Sequence, residues 1–113
     1  MTEKESKFLY DISNSIYLIQ EFISDTPSFT AYQNDLKTKS AVERHLAIIG
    51  EAVNKFRKIS EDHTLEHAAQ IISLRNRLIH SYDSIDDSIV WAIVSHYLLP
   101  LQREVQKLQE RDQ

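Results

Sequence analysis

Residues 74–85 read LRNRLIHSYDSI and bring two arginines, an asparagine, a histidine and a tyrosine into one short stretch. A helix of this length with a purely structural task would give its polar positions to Glu and Lys. Here they go to residue types that grip phosphate (Arg75, Arg77), move protons near neutral pH (His80) and offer a phenolic oxygen (Tyr82). Leu78 and Ile79 still supply a packing face. Arg75 and His80 could together cleave RNA without a metal. Ribose carries its own nucleophile in the 2′-hydroxyl, so the protein need only move protons and stabilise charge on the phosphate. The product would be a 2′,3′-cyclic phosphate, and DNA would be inert.

Spacing sets a condition on this chemistry. Residues five apart on a regular helix point about 140° from one another, so Arg75 and His80 cannot share a narrow stripe, whereas Asn76 and His80 can. Either the helix ends before His80, or a second copy of the chain completes the site across a two-fold axis. The plainer account is that Arg75 and Arg77 are solvated or salt-bridged and His80 caps a helix end. A second pattern, His63, Glu66 and His67 in HxxEH spacing, matches a zinc-peptidase helix. It needs a third ligand and a larger cleft, and an exposed polar turn is the reading adopted: no metal and no cofactor are expected.

The elements that must position these residues are helical. One Gly, two Pro and no Asn-Gly or Asp-Gly leave little material for hairpins. Thr2 and Glu5 have capping-box spacing ahead of Phe8, Ile12, Ile16, Ile19 and Ile23, which predicts a first amphipathic helix stopped at Pro27. A connector to Asn34 has room for a helical turn carrying Phe29 and Tyr32. From Asp35 to Ile59, Val42, Leu46, Ile49, Val53 and Phe56 form a seam. Beside it lie Ala41, Ala52 and the only glycine, Gly50, which predicts close approach of another helix and places Gly50 and Ala52 near a two-fold interface. A third helix capped by Asp62 or Thr64 is expected to turn Leu65, Ala68, Ile72 and Leu78 or Ile79 inward. A fourth, starting near Ile85 with a Ser84–Asp87 capping box, carries Val90, Val94, Tyr97, Leu101, Val105 and Leu108. Pro100 should kink it. The sum is an all-α, antiparallel four-helix bundle with a kinked last helix, one domain over residues 1–113.

The net charge of −4 argues against broad attachment to nucleic acid but allows a small site for one or two phosphates. With no cysteine there are no disulfides or thiolate chemistry. No secretory signal or membrane span is visible, so a cytoplasmic protein is expected.

RHLAIIGEAVNKF (44–56), RNRLIHSY (75–82) and IVWAIVSHYLLPL (89–101) resemble the HepT-like toxins of the HEPN superfamily, in order and over nearly the whole chain. The family motif is Arg, a polar residue, three more residues, His, any residue, Tyr. Arg75, Asn76, His80 and Tyr82 fill it, with Ser81 where glycine is frequent. The resemblance implies a homodimeric, metal-independent ribonuclease, the toxin of a toxin–antitoxin pair. Its antitoxin would be a minimal nucleotidyltransferase that adenylylates the motif tyrosine. Carried over by position, Arg75 and His80 are catalytic, Asn76 assists and Tyr82 is modified; Arg77, outside the motif, is a candidate phosphate contact by its residue type. The competing reading is a non-catalytic module of the same fold that binds a nucleotide or its nucleotidyltransferase partner, with Arg75 as a phosphate anchor only.

Overall fold

The computed structural model describes residues 1–81, 83 and 85–111. Helix α1 (Glu3–Phe22) begins where the capping box predicts: Thr2 Oγ1 accepts the Glu5 N–H at 3.1 Å and donates to Glu5 Oε1 at 3.3 Å. Its buried stripe is Leu9, Ile12, Ile16 and Ile19, and Phe8 and Ile23 pack half-buried at the margins. Leu9 was not expected inside. After Pro27 the chain makes the short α2 (Phe29–Gln33), capped by Ser28 Oγ and pinned by Tyr32, which is fully buried against Trp91 at 5.2 Å between ring centroids.

Helix α3 (Leu36–Ile59) is the spine. Asp35 caps it, accepting from the Thr38 N–H at 3.0 Å and its hydroxyl at 2.7 Å, and those bonds hold the Asp35 carboxyl below its usual range. All five seam residues are fully buried. At ~1.5 Å per residue its 24 residues account for most of the 42 Å long axis of the molecule. α1 packs along one side of α3 and α4 (Ala69–His80) along another.

α4 begins later than the sequence suggests. Neither Asp62 nor Thr64 caps it; its N-cap is Ala68, with no side-chain bond. The preceding loop is held instead by Glu104, whose two carboxylate oxygens accept the N–H groups of Glu66 and His67 at 2.8 Å each. The inward residues are Leu65, Ala68, Ile71 and Leu74; Ile72 and Leu78 are half-buried and Ile79 is 48% exposed.

The fourth helix is two pieces, α5 (Asp87–His96) and α6 (Leu98–Arg111), separated at Tyr97. Pro100 lacks the N–H that would bond the His96 carbonyl, and its ring crowds that oxygen. Helical bonding resumes with the Leu101 N–H to the Tyr97 carbonyl at 3.3 Å. The interruption falls three residues before the proline, and Leu98 and Leu101 remain buried on either side of it. The cap of α5 is Asp86, accepting the Ser88 N–H at 2.8 Å. The expected Ser84–Asp87 box involves a residue outside those described. Asp87 instead pairs with Lys39 at 2.7 Å, tying the start of α5 to α3 beside Glu43, whose carboxyl burial and Asp87 push upward. The described residues form an all-α antiparallel helical bundle, its last helix broken, with α2 packed against α3 and α5. Among the described residues no helix is long and apolar enough to cross a membrane.

One polar pair lies between α1 and α3. Ser15, 2% exposed, shares a 3.0 Å hydrogen bond with His45 Nδ1, and the imidazole leans on Phe22 at 5.4 Å between centroids. Burial, with a smaller contribution from Arg44, lowers the His45 pKa. The folded state therefore prefers the neutral imidazole, and unfolded chain takes up the proton first as pH falls. This contribution to stability is complete above the unfolded histidine value of about 6.5 and is lost below it, as pH falls through the folded pKa. Denaturant melts of wild type and His45→Gln from pH 7.5 to 5 should show the wild type losing stability more steeply; identical pH profiles would contradict the assignment.

Candidate active site

α4 is amphipathic by its spacing: Ile71, Leu74 and Leu78 turn toward α3 and the core, while Asn76, Arg77 and His80 face outward and are exposed. What sets its distance from α3 is Gly50. A Cβ at Gly50 would lie 2.3 Å from Arg75 Cβ, 2.7 Å from its Cγ and 3.3 Å from the Ile71 carbonyl oxygen. The stem of Arg75 therefore occupies the space that any other residue at position 50 would fill. The close contact expected of the small-residue face is made here within one chain.

Rising over Gly50, the Arg75 side chain meets the next residue of α3. Its Nη2 donates to Glu51 Oε2 in a short ion pair, and its Nη1 donates to Asn76 Oδ1 at 3.0 Å. The Nε is buried with no hydrogen-bond partner among the described residues. The other Glu51 oxygen faces Lys55 Nζ at 3.7 Å. The Arg75 side chain keeps 21% of its surface exposed, so the guanidinium is anchored yet reachable.

His80 is the last residue of α4; the Ser81 N–H closes the turn onto the Arg77 carbonyl at 2.8 Å. The helix is unbroken from Arg75 to His80, so the two side chains diverge by the full five-residue angle of about 140°. Of the two arrangements open at the outset, a helix ending before His80 is excluded. Among the described motif residues, Asn76 is bonded to Arg75 and stands one turn from His80 on the outer face. Arg77 lines a groove of about 530 Å³ between α4 and α5 with Ser73, Ser88, Ile89 and Tyr97. Ile79 borders a second groove, of about 630 Å³, with Lys7, Arg44 and Lys55 at its edge. Tyr82 lies outside the described residues.

His63, Glu66 and His67 do not form the helical turn that the HxxEH chemistry requires. They precede α4, in the loop held by Glu104. Among the described residues no three His, Asp or Glu side chains converge as a metal site would need. The residue that sequence reasoning missed is Glu51. Its signal was adjacency to the only glycine, whose need for a close partner implies that its neighbour also faces that partner.

The profile of the family described as ribonuclease HepT-like matches residues 12–108. A Thermococcus cleftensis protein named probable ribonuclease HepT is 32% identical over 97% of this chain and 100% of its own length. Two Methanocaldococcus jannaschii proteins provisionally named RNases are similar as well: one is 37% identical over 77% of this chain and 72% of its own, the other 34% over 94% and 98%. No solved structure matches the chain.

The Gly50 contact can be measured directly. Gly50→Ala improves intrinsic helix propensity by about 1 kcal/mol, but its methyl group collides with a rigid stem, and overpacking costs roughly 1–3 kcal/mol. The variant should unfold at lower denaturant than wild type. A stabilised Gly50→Ala would show that α4 does not sit this close to α3.

Proposed function

The chain belongs to the HepT-like ribonuclease family, and from that premise we propose that it is a metal-independent endoribonuclease, the toxin of a type VII-like toxin–antitoxin pair in the cytoplasm. Arg75 and His80 carry the reaction. The observation that supports this most is the pairing of an anchored, reachable guanidinium at Arg75 with an exposed imidazole at His80 on one rigid helix. In the proposed step the imidazole takes the proton of a ribose 2′-hydroxyl as that oxygen attacks the adjacent phosphorus, and an imidazolium returns a proton to the departing 5′-oxygen. Arg75 holds the phosphate oxygens as charge builds on them, and Asn76 keeps the guanidinium in place. The balance is closed: one P–O bond forms, one breaks, and a 2′,3′-cyclic phosphate and a 5′-hydroxyl result.

The divergence of Arg75 and His80 along α4 favours a site completed by a second copy. In a two-fold dimer the outer face of one α4 and that of its mate can border one cleft, giving each phosphate an arginine and a histidine from different chains. Regulation follows from the position of Tyr82, two residues past His80 in sequence. AMP attached to its phenol by a nucleotidyltransferase antitoxin would add a negatively charged phosphodiester beside the cations that hold substrate phosphate, and would repel RNA at short range. RNA is the substrate; DNA, lacking the 2′-hydroxyl, is not cleaved.

Purified protein incubated with RNA in excess chelator should yield 2′,3′-cyclic phosphate ends, and His80→Ala and Arg75→Ala should each reduce cleavage by at least about 100-fold, with the melting curve unchanged in His80→Ala and a cooperative fold retained in Arg75→Ala, which loses the Glu51 ion pair. Cleavage surviving either change would remove that residue from the mechanism, and cleavage that needs added metal would overturn the proposed chemistry. Light scattering at micromolar concentration should report a dimer; a fully active monomer would contradict the shared cleft.

Co-expression with the nucleotidyltransferase is expected to place AMP mass on the peptide containing Tyr82 and to abolish cleavage without unfolding. An unmodified Tyr82 in a fully neutralised complex would show that inhibition works by binding alone.

A further inference from the structure

The Arg75 guanidinium has five N–H donors, and their disposition here is uneven. Among the described residues, one bonds Glu51 and one bonds Asn76, while the buried Nε–H has no partner. Two hydrogens are left, one on each terminal nitrogen, which is the number a pair of phosphate oxygens takes up in a bidentate contact. Glu51 engages through a single oxygen, since its other oxygen is directed toward Lys55 at 3.7 Å. Were both carboxylate oxygens on the guanidinium, its charge-assisted bonding would be largely spent.

We propose that Glu51 is a positioning residue for Arg75: it clamps Nη2 from α3 with one oxygen, so that the guanidinium presents its remaining donors to the substrate phosphate in one fixed orientation. The assignment rests on the ribonuclease reading of Arg75 and His80. Three features of α3 and α4 make the clamp a built device. Gly50 lets α4 approach until Arg75 rises beside Glu51; Asn76 holds the second terminal nitrogen; and the buried Nε restricts rotation about the stem. An arginine on an exposed helix face without such contacts would sample many rotamers, and each would have to be frozen in the transition state. A misplacement of about 1 Å can cost on the order of 100-fold in rate.

The clamp therefore acts on turnover more than on binding, because an unclamped Arg75 still attracts RNA by its charge but seldom meets the phosphorus in the productive geometry. The Oε of a glutamine would still accept the Nη2 hydrogen bond, and an alanine would not. Steady-state cleavage of a short RNA in chelator by wild type, Arg75→Ala, Glu51→Ala and Glu51→Gln, with thermal melts of each, separates the cases. Glu51→Ala should lower kcat roughly 10–100-fold with KM changed by less than about threefold, and Glu51→Gln should recover most of the loss. In ¹H–¹⁵N spectra the Arg75 Hε resonance should be protected from exchange in wild type and Glu51→Gln and lose that protection in Glu51→Ala. Unchanged or increased kcat in Glu51→Ala would overturn the proposal, since Glu51 would then only compete with phosphate. Equal losses in both variants that track a fall in melting temperature would overturn it in favour of a purely structural ion pair. Cleavage by Arg75→Ala at the wild-type rate would instead dismiss Arg75 from the reaction, and the positioning role with it.

Discussion

The approach of α4 to α3 at Gly50 is the constraint on which the rest of the arrangement depends. The missing side chain at that position is replaced by the stem of Arg75, so the packing of two helices and the placement of the Arg75 guanidinium are one event. Everything near the motif inherits this geometry. Glu51 meets Arg75 because it follows Gly50 on the same helix, and Asn76 reaches it because it follows Arg75. A lone glycine in the middle of a 24-residue helix costs propensity, and the close contact is what offsets it.

Around that contact, carboxylates from distant parts of the chain do the work that local caps do elsewhere. Glu104 on α6 accepts two N–H groups of the loop before α4, and Asp87 at the start of α5 reaches Lys39 on α3. The segment bearing the motif is thus secured at its approach and its exit by residues outside it. Its middle is secured by apolar contacts of Ile71 and Leu74, both essentially buried. A charged group held by such a frame loses little additional side-chain freedom when a ligand arrives.

The sequence was most legible where structure is decided locally. The Thr2–Glu5 box, the Asp35–Ile59 span, the seam from Val42 to Phe56 and the disturbance caused by Pro100 each depend on local pattern, and each stands close to where that pattern put it. The start of α4 was not legible, since its stabilising partner, Glu104, lies 37 residues downstream of His67 and no local periodicity encodes such a bond. HxxEH spacing was misleading for the same reason: the spacing presumes a helix that the loop does not form. Arg75 and His80 were legible as residue types and as an angle. That Arg75 points at Glu51 was not, because it depends on which face of α3 receives α4, and only packing decides that.

That angle carries the last step. A catalytic pair on a mobile loop can be brought together by closure, but α4 is hydrogen-bonded from Ala69 to His80, and straightening or bending it by the required amount would break its ladder. Rigid divergence of this kind is the ground for the proposed assembly around a shared phosphate. In the proposed dimer, activity would then be controlled by how two bundles dock, and anything placed between them, a bulky adduct on the residue two positions past His80 included, would act at the one place where the chemistry is joined. The net charge of −4 fits the same economy. With weak long-range attraction for RNA, the proposed cleavage would depend on contacts made at short range, by an arginine whose direction Glu51 and Asn76 set.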